Sequence, residues 1–228
     1  MGPWRAEGDY ARDGSRKDLV GEFVKSKLKF VAVAAAALLL TGCSLAEKAG
    51  AAVVVGTERM SSSELAAEYE SVLDALPADS QGLGSPTQVN RTILQSYVYS
   101  VVVNAIGVEY GVAATDAQVA AERASLEEKY GKDGLVEVAA QGAIAPSAID
   151  RTLRTSLTYR YVAEKLVPGG TTEEQDAAVG PKLIEFAKKL GVEIAPRYGQ
   201  WNAENIVVED LADGLSVSQA AILAAAQG

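Results

Sequence analysis

Four runs along the chain share one spacing, a hydroxyl residue followed three positions later by Glu or Gln: Ser61 with Glu64, Ser85 with Gln88, Thr115 with Gln118, and Thr171 with Glu174. The hydroxyl accepts a hydrogen bond from a backbone N–H that the first turn of a helix leaves unpaired, and the longer side chain can reach back to the cap. Each run predicts a helix start. After Ser61, the residues Leu65, Tyr69, Val72, Leu73 and Leu76 recur on one helical face, and Pro77 ends the stretch. After Ser85, with Pro86 at the first helical position, Ile93, Leu94, Tyr97, Val98, Val101, Val102, Ala105 and Ile106 form a wide apolar face. That width predicts a central helix of about 24 residues, stopped by Gly111 behind Tyr110.

The third helix runs from Thr115 to near Tyr130, with Val119 and Leu126 inward and a charged face of Glu122, Arg123, Glu127, Glu128 and Lys129. Residues 135–140 predict a short fourth helix. Pro146 opens a fifth, in which Ile149, Leu153, Leu157 and Tyr161 step by four, joined by Val162 and Leu166, and Pro168-Gly169-Gly170 stops it. The sixth, from Thr171, is expected to kink at Gly180-Pro181 and to bury Leu183, Ile184, Phe186, Ala187 and Leu190 before Gly191. The β-branched run 51–55, ended by Gly56-Thr57, reads as a short strand, and 192–202 as extended. The fold class expected is therefore mainly α, six helices with a small two-stranded β element in which 52–55 pairs with the segment near 193–201. The alanine-rich stretch 203–228 is expected to be a loosely docked tail.

Ahead of this domain, Lys25, Lys27 and Lys29 precede an apolar run, 30–40, that closes in Leu40-Thr41-Gly42-Cys43. Eleven apolar residues are too few to span a bilayer core of roughly 30 Å as a helix, so the pattern is that of a cleaved export signal. Cys43 is the single cysteine in the chain and stands where a bacterial lipoprotein signal places the thiol that receives diacylglycerol, with cleavage between Gly42 and Cys43. Two or three acyl chains exceed what stable anchoring needs. The acidic residues Glu7, Asp9, Asp13, Asp18 and Glu22 do not suit a signal, and initiation at Val20 or Val24 would leave a compact one. The expected organisation is leader and signal at 1–42, lipidated tether at 43–50, helical domain at 51–202 and tail at 203–228. The expected location is the outer face of the cell membrane, held by lipid.

Composition then removes whole classes of chemistry. The chain has no histidine, which excludes Ser-His-Asp and Cys-His catalysis, HExxH zinc sites and imidazole acid/base work. There is no GxxxxGK[ST] loop and no GxGxxG after a strand, so no nucleotide is expected. The adjacent pairs Glu127-Glu128 and Glu173-Glu174 diverge by about 100° on a helix and share no site. From Cys43 onward, 14 Lys and Arg stand against 25 Asp and Glu, a net −11, with no basic stripe for nucleic acid. With its one cysteine acylated, the domain must be held by packing alone. No metal or cofactor is implied.

Three runs carry a likeness. The run 52–61, Ala-Val-Val-Val-Gly-Thr-Glu-Arg-Met-Ser, resembles the opening strand and the turn into the first helix of the N-terminal chaperone domain of the SurA, PrsA and trigger-factor-like family. The run 110–119, where a glycine stop leads to the Thr115-Asp116 cap, is similar to that family's link between its second and third helices. The run 195–202, Ala-Pro-Arg-Tyr-Gly-Gln-Trp-Asn, is similar to its closing segment. The resemblance covers 51–202 and, with Cys43, points to the lipoprotein form found in Gram-positive bacteria. It implies a helical cradle for unfolded or newly exported polypeptide. Enzymes of the family insert a parvulin-type prolyl isomerase domain before the last helix; here that interval, 168–180, holds thirteen residues, too few for a domain. The resemblance thus implies binding without isomerase activity.

Candidate contacts for such a polypeptide are aromatics near helix ends: Tyr97, Tyr99, Tyr159, Tyr198 and Trp201. Apolar patches would capture exposed side chains, while the negative charge favours basic segments and solubility. A second reading is a structural or adaptor lipoprotein with one dedicated cell-envelope partner. A small-ligand lipoprotein of two α/β lobes does not suit a chain in which strands and helices nowhere alternate.

Overall fold

The structure, a computed structural model, describes residues 50–78, 80 and 82–210. The leader, the Gly42/Cys43 cleavage and lipidation site, and the tail from 211 lie outside the described residues. Six helices occur among them: α1 (Ser62–Ala75), α2 (Pro86–Glu109), α3 (Asp116–Tyr130), α4 (Lys132–Gln141), α5 (Ile149–Leu166) and α6 (Thr172–Leu190). Short strands β1 (Ala51–Val55), β2 (Glu58–Ser61), β3 (Val192–Ile194), β4 (Gln200–Asn202) and β5 (Val207–Glu209) flank the helices. The protein is mainly α-helical with a small β element, and no helix among the described residues is long and apolar enough to cross a membrane.

The caps act as their spacing implies. The Ser61 hydroxyl accepts the Glu64 N–H at 3.1 Å while the Glu64 carboxylate accepts the Ser61 N–H at 2.6 Å. Thr115 with Gln118 and Thr171 with Glu174 form the same reciprocal pair. At Ser85 the hydroxyl accepts the Gln88 N–H at 3.3 Å, and Pro86 begins the helix. Pro146 does not start α5 directly; it opens a 3₁₀ turn, Pro146–Ala148, from which α5 continues. α6 runs on through Gly180-Pro181 as one helix, with Pro181 and Ala177, whose carbonyl loses its partner there, both facing solvent.

α2 is the centre. Val89, Ile93, Leu94, Val98, Val102, Val103 and Ile106 are all buried, and α1, α5, α6 and β1 pack around them. The hydrophobic effect holds this arrangement, since no disulfide contributes. Leu73, expected inward, is exposed instead.

The expected strand pairing is present, with Val53, Val54 and Val55 opposite Ile194, Glu193 and Val192. The sheet has a third strand as well: β2 pairs antiparallel with β1 across the two-residue turn Gly56-Thr57, giving the order β2-β1-β3. Gly56 suits that turn because its φ is +61°. Past β3, Pro196–Tyr198 forms a 3₁₀ turn, so the rest of the closing segment leaves the sheet. It pairs with the following residues instead, Trp201 opposite Val208, and Val208 is buried. The boundary expected at 202 thus falls inside a hairpin, and the domain reaches at least Glu209. Gly199 permits the crossing: its φ is +129°, and a Cβ there would lie 2.2 Å from the Glu209 carbonyl oxygen.

Candidate functional site

An open concavity forms where α2 hands over to α3. α2 ends beside Tyr110, Gly111 takes a φ of +68°, and the Val112 N–H bonds back to the Gly107 carbonyl at 2.7 Å. The link 111–115 then lies directly on the α2 backbone. This closeness needs Gly107, because a Cβ there would sit 2.3 Å from the Thr158 methyl and 3.1 Å from the Ala113 Cα.

α5 grips the same link from the other side. The fully buried Thr158 hydroxyl accepts the Ala114 N–H at 3.0 Å, and the Arg154 guanidinium donates to the Ala114 carbonyl at 2.8 Å. Both backbone polar groups of a buried residue are thereby satisfied by side chains of one helix. Arg154 also reaches the Asp116 carboxylate at 2.5 Å, which ties the start of α3 to α5.

Between this link and the C-terminal half of α5 lies an open cleft of about 670 Å³. Gly111, Val112, Ala113, Thr115 and Gln118 form one wall, and Tyr161, Glu164, Lys165 and Pro168 the other. Several polar groups at the cleft are already engaged. Thr115 and Gln118 bond to each other as a cap, and Glu164 accepts the Gly169 N–H and the Gln175 amide, each at 3.0 Å. What the cleft offers a visitor is the apolar surface of Val112, Ala113, Tyr161 and Pro168, with the Lys165 ammonium at its rim. Such a surface can bind; it presents no activated nucleophile and no paired acid and base. Among the described residues no group of carboxylates could hold a metal ion.

The five aromatics singled out in the sequence do not line this cleft, though Tyr99 and Tyr159 meet each other. Tyr97 lies under the Arg151 guanidinium, 5.4 Å from its ring centre, and Arg151 is held by both Glu68 oxygens at 3.0 and 2.9 Å. Tyr97 belongs instead to a small polar hollow of about 290 Å³ shared with Asn104 and Arg154. Tyr99, two residues on and so about 200° round the helix, meets Tyr159 at 6.4 Å between ring centres. The Tyr159 hydroxyl donates to Asp176 at 2.5 Å. Burial, then the Asp176 charge, pushes the Tyr99 hydroxyl up to about 12, and burial with the Asp176 hydrogen bond raises Tyr159 further. These phenols are locked neutral and packed. Tyr198 has the Arg197 guanidinium over its ring at 4.8 Å and gives its carbonyl to Arg91 at 3.0 Å. Trp201 sits half-buried on β4, its Nε1–H enclosed without an acceptor.

Tyr161 is the cleft aromatic that sequence reasoning passed over. Its place in the series Ile149, Leu153, Leu157, Tyr161 marks it as inward-facing, yet the series outruns the core and its last member turns a face to the cleft. Comparison with known protein families, curated proteins and solved structures finds no match to this chain.

Proposed function

We propose that the protein is a lipid-anchored extracytoplasmic lipoprotein whose helical domain holds unfolded or newly exported polypeptide without catalysis. The observation that carries this reading is the open cleft between the 111–115 link and α5, apolar over most of its floor and with its capping and turn-closing polar groups already paired. Apolar side chains of an unfolded segment gain by leaving water there, and no buried side-chain polar group lining the cleft is left unpaired to demand one particular ligand. The Lys-flanked apolar run ending at Cys43 supports attachment beside the site of export. Tethering raises the local concentration of a weak, nonspecific surface. The net negative charge keeps a loaded complex soluble.

The test uses residues 44–228 made without lipid, titrated into two unrelated aggregating proteins while light scattering is followed. Suppression of both near equimolar ratio is the expected result. If neither responds while circular dichroism shows a folded domain, the reading fails, and an adaptor for one cell-envelope partner takes its place.

A further inference from the structure

α3 is attached unlike any helix of the core. Val119 is its one fully buried residue among fifteen, and Leu126 adds a half-buried contact. Beneath it lies a narrow apolar seam, Ala114, Val119 and Leu157 with Leu153 and Tyr161 at its edge. The remaining attachments to α5 are ion pairs at the surface: Arg123 with Asp150 at 2.7 Å, Asp116 with Arg154 at 2.5 Å and Glu122 with Arg160 at 3.7 Å. Asp150, Asp116 and Arg160 are 59%, 96% and 61% exposed, so salt reaches all three pairs. Gly131 at the end of α3 has a positive φ of +77°, Gly111 at +68° stands four residues before the Thr115 cap, and a Cβ at either would meet nothing.

We propose that α3 is a latch over the continuation of the cleft. When it lifts from α5, the strip Leu153, Leu157 and Tyr161 is uncovered, about 12 Å of apolar helix surface continuous with the cleft wall at Tyr161. The closed cleft takes a few side chains; the opened one takes an extended apolar stretch of polypeptide. The nature of that occupant rests on the polypeptide-holding reading, whereas the opening itself does not. Ion pairs suit a latch because they are weak when exposed and release without leaving a buried charge.

Two experiments separate these parts. In amide hydrogen exchange, the α3 amides exchange about ten-fold or more faster than those at the centre of α2, and 1 M NaCl speeds α3 several-fold with no change in α2. Equal protection of α3 and α2, lost together, overturns the latch. In the second, Glu122→Cys and Arg160→Cys are introduced into 44–228, which has no other cysteine, and joined by a short bis-maleimide. The linked protein is expected to lose most of its suppression of aggregation while the unlinked double variant keeps it. Suppression unaffected by the link overturns the role of α3 in binding. If the unmodified protein suppresses nothing, the polypeptide-holding reading fails alone, and the exchange contrast still decides whether α3 opens.

Discussion

α2 and α3 follow one another in the chain, are each opened by a side-chain cap and are each followed by a glycine with positive φ, yet they are built for opposite purposes. α2 buries nine residues and is surrounded by helices and sheet; α3 buries one and touches chiefly α4 and α5. The contrast shows that two properties read from a helix are independent. Capping decides where a helix begins, and the width of its apolar face decides how firmly it is held. A helix with good caps and a narrow face forms readily and detaches readily. Joined to the firmly held α2, such a helix gives the domain a stable body and, under the latch proposed above, a movable wall.

The comparison breaks most sharply at the centre of α2. Leu94→Ala removes a side chain with no exposed surface from the main core and should cost about 2–5 kcal/mol in urea denaturation. The loss should spread to every element that packs on α2, seen as uniformly faster exchange across α1, α2, α5 and α6. Loss confined to α2 would mean that the core is not one cooperative unit.

Gly107→Ala probes the seam between the two regions. The new methyl meets the Thr158 methyl and the Ala113 backbone, so overpacking should cost about 1–3 kcal/mol. Either Thr158 turns away, freeing the Ala114 N–H, or the 111–115 link moves out and reshapes the cleft. In both cases the Ala114 amide resonance and its protection should change well before those of α1. An unchanged Ala114 amide would show that the link is not held as described.

A smaller effect separates the regions by pH. Tyr99 in the folded core holds its proton to about pH 12, while an unfolded tyrosine releases it near pH 10. Its folded-state value is raised, so its contribution is complete below pH 10 and is lost as pH climbs from there through 12. Alkaline denaturation should therefore steepen in that window, and Tyr99→Phe together with Tyr159→Phe should flatten it. A profile identical in the double variant would remove these two phenols as the cause.

Much of this was legible because it is local. All four hydroxyl starts, the broad face of α2 and the glycine stops depend on residues within a turn of one another, and all appear in the structure. The pairing of the opening strand with Val192–Ile194 was expected from the apolar β-branched run at 51–55 and the extended reading of 192–202. The third strand, β2, was hidden because Glu58-Arg59 carries no apolar alternation, and β5 because its partner β4 is set by the turn at Gly199. The cleft was not legible. It depends on Gly107 meeting Thr158, far apart in the chain, and nothing near Gly107 signals the contact. The placing of the aromatics was not legible either: Tyr97 and Tyr99 look like neighbours in sequence but point to opposite sides of one helix.

The smallest effect tests the weak region directly. Asp150→Asn leaves Arg123 its partner Glu127 on α3 itself, at 2.9 Å, but removes its partner on α5. An exposed pair of this kind contributes about 0.2–1 kcal/mol, so global stability should hardly move. Local opening of α3 should still rise, because few other contacts oppose it, and α3 exchange should be faster than in the unsubstituted protein at low salt. In 1 M NaCl the two proteins should become alike, since screening has already removed what the substitution removes. A difference that persists undiminished in high salt would mean that Asp150 acts through the start of α5, where it sits in the first turn, and not through α3. The salt dependence of this one variant therefore tells whether charge pairing or helix-end geometry holds the wall of the cleft.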